Sequence, residues 1–78
     1  MPAHDRLDHA IIAALGVHRA EFRTGRAGAP GLTSAELAST TGETVGDVER
    51  CLHELAARDR VVAPGPRERH WTVRRRAA

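Results

Sequence analysis

A chain of 78 residues with a net charge of +2 and a single cysteine allows one small domain and excludes both an internal disulfide and a four-cysteine zinc site. No apolar run approaches the roughly 18 residues that a membrane span requires, and the opening MPAHDRLDH is too polar to be read as a secretory signal. With one Trp, one Phe and no Tyr, the core must be built mainly from Leu, Val, Ile and Ala.

In chain order, Leu7, Ile11, Leu15, His18 and Phe22 recur at steps of four, four, three and four, which predicts an amphipathic helix over 5–23. Asp5 is its expected N-cap, Asp8 sits in the first turn, and His18 is expected to be a core histidine. TGRAGAPG, 24–31, is a loop by composition. Residues 31–33 could form a very short strand. Thr33-x-x-Glu36 is a capping box that starts a short helix with Leu37 and Ala38 facing inward, and Gly42 stands where a left-handed residue ends a helix. Thr44-x-x-Asp47 caps the next helix, 45–58, whose apolar positions are Val48, Cys51, Leu52, Leu55 and Ala56. Two capped helices joined by a turn of about four residues make a helix-turn-helix. A β-prone run at 61–63, a reversal at Pro64-Gly65-Pro66 and a second strand over 67–73 complete a hairpin. Residues 73–78 are expected to form a flexible basic tail of the single domain 1–78.

This order of elements resembles the winged helix-turn-helix family, and the resemblance spans nearly the whole chain. It implies an α+β fold of three helices with a small antiparallel sheet and a β-hairpin wing. In that family the second helix of the pair usually enters the major groove while the wing touches backbone or minor groove. From Asp47 to Val73 the spacing also resembles the Z-alpha subclass, which binds left-handed DNA or RNA. There a helix Asn, a helix Tyr and a wing Pro-Pro carry much of the recognition. The corresponding positions here hold Glu49, His53, and Glu68 with Arg69, so only Arg50 and Trp71 agree with that pattern.

All twelve basic residues are Arg, and Lys, Asn, Gln and Tyr are absent. A GC-rich bacterial genome accounts for that bias better than selection for phosphate binding does. Without Asn or Gln, the usual bidentate reader of adenine is missing, which leaves Arg on guanine as the direct base contact. Charge is uneven: 43–60 carries three Arg against five acids, whereas 61–78 carries five Arg against one Glu. The third helix exposes Val45, Gly46, Glu49, Arg50 and His53, of which only Arg50 is a permanent cation. Asp47 and Glu49 would be repelled by phosphates, although both also suit a helix N-terminus. On the wing, Arg67 and Arg69 alternate with Glu68 and His70, so a continuous strand would project both guanidinium groups from one face. Trp71 is expected to close the core rather than stack on a base. Arg74, Arg75 and Arg76 could bind phosphate through counterion release or simply form a solvated end. Arg23 and Arg26 flank or ride on the first loop.

His53 and His70 could gain charge below about pH 6.5. Asp5 and His9 are too few ligands for zinc, and Cys51 reads as a small buried hydrophobe. No nucleophile pattern, phosphate loop or cofactor motif is present, so no enzyme activity, cofactor, metal site or small-molecule ligand is expected. The functional expectation is a DNA-binding module, a small bacterial or phage transcription regulator or accessory factor in the cytoplasm. Its partner would be double-stranded DNA, anchored by Arg67, Arg69 and Arg74–Arg76, with Arg50 and His53 in or beside the major groove. A homodimer or a protein partner could use the first helix. The alternative is a protein-interaction winged helix that docks through its acidic third helix.

Overall fold

A computed structural model describes residues 3–74, with side chains from residue 6 onward. Its elements are α1 (Ala3–Arg23), α2 (Ser34–Thr41), α3 (Val45–Ala57), β1 (Val61–Val62) and β2 (Thr72–Val73). The two strands pair antiparallel, Val61 opposite Val73 and Val62 opposite Thr72. Leu32 makes a separate, isolated antiparallel bridge to Trp71. The three helices pack on one another, and α1 and α3 also pack on this small sheet.

The apolar spacing explains the packing. Leu7, Ile11 and Leu15 present one face of α1 to the core, where they meet Leu37 of α2, Val48, Cys51, Leu52 and Leu55 of α3, and Val61 and Trp71 of the sheet. The stripe nevertheless ends before the sequence pattern does. Phe22 is 41% exposed and His18 is only half-buried, contrary to the expectation of a core histidine. Periodicity gives the buried face of a helix but not the length of the surface opposite it. The helix also starts at Ala3, so Asp5 lies inside its first turn and not at the N-cap.

The helix-turn-helix caps form as the sequence predicts. Thr33 Oγ1 accepts the Glu36 N–H at 3.1 Å, and Glu36 Oε1 accepts the Thr33 N–H at 2.9 Å. Gly42, at φ 75°, takes the left-handed position and donates its N–H to the Ala38 carbonyl at 2.9 Å. Thr44 Oγ1 accepts the Asp47 N–H at 3.2 Å to start α3. At the far end Arg58 is the C-cap and Asp59 adopts φ 60°, a conformation Asp tolerates better than most residues.

The wing differs from expectation. Gly65 accepts the Glu68 N–H at 3.0 Å, which makes a β-turn with Pro66 in its preferred second position. Residues 67–70 then run without ladder pairing, and only Trp71 to Val73 rejoin the sheet. Arg67 and Arg69 therefore ride on the turn and the following loop, and strand alternation does not govern where they point.

Leu32 and Trp71 exchange both backbone hydrogen bonds, at 3.0 and 2.7 Å. This brings the chain so close at Gly31 that a Cβ there would collide with the Trp71 carbonyl oxygen and the Thr72 side chain. Gly31→Ala is expected to destabilise the fold by about 1–3 kcal/mol, measured by urea unfolding. Thr33→Ala, which removes the α2 cap, is expected to cost about 0.5–2 kcal/mol in the same assay. The Thr33 N–H holds the Glu36 carboxyl below its ordinary pKa. The stability this adds is complete above the unfolded value of about 4.3 and is lost as pH falls through the lower folded value. Glu36→Gln should remove that part of the acid sensitivity.

Candidate nucleic-acid interface

The caps orient α3 so that Val48, Leu52 and Leu55 point inward, which leaves Val45, Gly46, Glu49, Arg50 and His53 exposed. The wing meets this outer face at one place. Trp71 is 5% exposed, and the His53 ring stands against it in a T-shaped contact, centroids 5.5 Å apart and planes at 84°. Such edge-to-face pairs contribute about 0.5–1.5 kcal/mol beyond burial. Trp71 is thus a core residue, as its size demands, and its outer side carries a titratable ring. Arg50 lies one helical turn before His53, and Arg69 lies two residues before Trp71. The contact ties α3, which carries Arg50, to the chain segment that follows Arg67 and Arg69.

Each predicted cation has a distinct situation. Arg50 pairs with Asp47 at 3.9 Å, a long and exposed contact that holds it weakly. Arg67 and Arg69 are exposed and, among the described residues, make no ion pair. Arg74 is different. Its Nε sits 2.6 Å from Asp59 Oδ1, and its backbone N–H donates to the Arg60 carbonyl at 3.0 Å. It latches the base of the wing and does not belong to a flexible tail. The physical reason is the left-handed turn at Asp59, which aims a carboxylate at the chain leaving β2. Arg75 and Arg76 lie outside the described residues. Arg23 and Arg26 are exposed at the end of α1. His70 is exposed, and its charge helps lower the Glu36 pKa only after the larger effect of the Thr33 N–H.

One polar group escaped the sequence reading. Asp8 is buried; its Oδ2 lies 3.7 Å from Arg58 Nη1, and its Oδ1 has no hydrogen-bond partner among the described residues. It borders a small cavity of about 110 Å³ together with His9, Ile12, Leu55, Arg58 and Arg60. The signal was present, since Asp8 directly follows Leu7 on the inward side of α1, but an acid in a first turn has an ordinary explanation. Cys51 is 1% exposed. Burial, followed by the nearby Asp8 charge, pushes its thiol up to about 11. Among the described residues no group of three His, Cys, Asp or Glu side chains could hold a metal ion, and no helix is long and apolar enough to cross a membrane.

No family model matches this chain, and no curated protein matches it. A solved structure does: the ORF112 Zalpha domain of Cyprinid Herpesvirus 3, determined to describe how that domain binds Z-DNA. The match covers 94% of this chain and 100% of the other, with a TM-score of 0.70 and 20% sequence identity. The fold is a winged helix-turn-helix, like that of the Zalpha domain. At that identity the likeness establishes architecture, namely three helices and a two-stranded antiparallel wing.

The Cys51 environment leads to a direct test. Alkylation of the native protein near neutral pH should run at least about a hundredfold slower than in the urea-unfolded chain, because the Cys51 thiol is both raised to about 11 and buried from the reagent. A native rate equal to the unfolded one would show that Cys51 is accessible and unperturbed.

Proposed function

We propose that this chain binds duplex nucleic acid through the outer face of α3 and the wing. The observation that supports the reading is the His53–Trp71 contact, 5.5 Å between centroids, which ties the helix of Arg50 to the segment that follows Arg67 and Arg69. Phosphates supply most of the binding energy in such a complex, and the exposed guanidinium groups of these three residues are suited to them. Arg50 is the group placed to reach a guanine edge. Glu49 limits how deeply α3 can enter between phosphates, so the wing carries more of the contact than the helix. Its role would be that of a small transcription regulator or accessory factor.

A specific observation favours a second reading, a left-handed duplex. The fold matches a domain whose structure concerns Z-DNA, and His53 stands against Trp71 at the position where the Z-alpha resemblance places a helix tyrosine. The imidazole offers a smaller edge than a phenol, and Glu49 replaces the amide. Affinity for the left-handed form is therefore expected to be weaker than in that subclass.

Fluorescence anisotropy with a mixed-sequence duplex, at low and moderate salt, tests the first reading. Affinity should fall steeply with salt, and Arg67→Ala and Arg69→Ala should each lower the log–log slope by about 1. Absence of binding in low salt at micromolar protein would overturn it in favour of a protein partner for the acidic face of α3. Circular dichroism of an alternating CG duplex tests the second reading: inversion of the spectrum by the wild type and its loss in His53→Ala would support a left-handed ligand.

A further inference from the structure

The α1 surface turned away from the core has a pattern that the nucleic-acid reading does not use. Arg6, Ala10, Ala13, Val17, Ala20 and Glu21 are all exposed. At the helical repeat of about 3.6 residues they fall within one arc of roughly 100°. Val17 is 59% exposed, more than any other large apolar side chain among the described residues. Beside this stripe runs an open groove of about 420 Å³, bordered by Ala10, Ala13, Val17, Leu32 and Thr40. Its lining is mostly methyl groups, with His18 and Glu21 toward one end; Arg6 lies outside the groove on the same face of α1, about 22 Å before Glu21. Neither charge makes an ion pair among the described residues.

A stripe of small residues can be covered by many things, but this charge arrangement is complementary to its own reverse. If a second copy of α1 lies antiparallel with its centre between residues 13 and 14, position 6 of one copy meets position 21 of the other at both ends. Val17 of each then faces Ala10 of its partner, so the large side chain enters the space that the small one leaves. A parallel pairing would instead set Arg6 against Arg6 and Glu21 against Glu21. We infer that this face of α1 is the interface of a two-fold homodimer in which α1 packs antiparallel against its symmetry mate, with Arg6–Glu21 pairs at both ends and Val17 seated in the groove. The alanines allow the helix axes to approach toward the short end of the usual 8–10 Å range. The contact is isologous, so it closes at two copies and does not propagate. The stripe is small against a standard interface of about 1,600 Å², so association of the free chain is weak. The inference stands apart from the nucleic-acid reading, since no residue is shared with that face.

Sedimentation equilibrium of the whole chain, up to about 1 mM protein, reads the result. The wild type should show a reversible monomer–dimer equilibrium. R6E and E21R should each weaken it by about tenfold or more, because each creates two like-charge contacts, and the R6E/E21R double variant should restore it. V17D should abolish it. All three positions are exposed, and circular dichroism would confirm that the variants remain folded. As a second measurement, Ala13→Cys, placed near the two-fold axis, should form an intermolecular disulfide under mild oxidation, whereas Ala20→Cys should not. A wild type that stays monomeric throughout, a double variant no better than either single one, or equal cross-linking at both positions would overturn the proposal.

Discussion

Two backbone hydrogen bonds between Leu32 and Trp71 hold this molecule in its arrangement. They join the segment before α2 to the strand after the wing, residues far apart in the chain, and they fix Trp71 so that its ring closes the core. A chain this short has few large side chains, so no second residue could replace that plug. The pairing requires bare backbone at Gly31, because the neighbouring chain occupies the space of a side chain. Everything on the outer face follows from it. His53 finds the edge of a ring that is already fixed, and the wing departs from a point that cannot shift.

Much of this was legible from residues alone, for local reasons. A Thr with Glu three positions later, a Gly after eight helical residues, and a second Thr two residues on each answer an unsatisfied backbone group, and each formed the contact its chemistry requires. The buried face of α3 was equally plain from its spacing. What failed depended on contacts that the pattern of residue types does not show, some distant in the chain and one local. Phe22 and His18 continue a pattern whose opposing surface has ended. The strand drawn through Arg67 and Arg69 breaks because the Gly65 carbonyl captures the Glu68 N–H and turns the chain. Arg74 looked like part of a loose tail because nothing local reveals that Asp59 adopts a left-handed turn and offers it a carboxylate.

The electrostatic division is sharper in space than in sequence. Of the exposed arginines, those near α3 and the wing tip are held weakly or not at all by carboxylates among the described residues, whereas Arg58 and Arg74 are assigned to internal pairs with Asp8 and Asp59. Guanidinium groups therefore serve two purposes, fastening the scaffold and facing outward. The carboxylates that remain on the outer face, Glu49 foremost, set a limit on how close an anionic ligand can come to the helix.

The ion pair between Arg74 and Asp59 has a mechanical consequence. It joins the two roots of the hairpin just below its paired residues. The stretch from Ala63 to His70, which carries Arg67 and Arg69, has no ladder pairing of its own, so what fastens this loop to the rest of the molecule is the stem at its base.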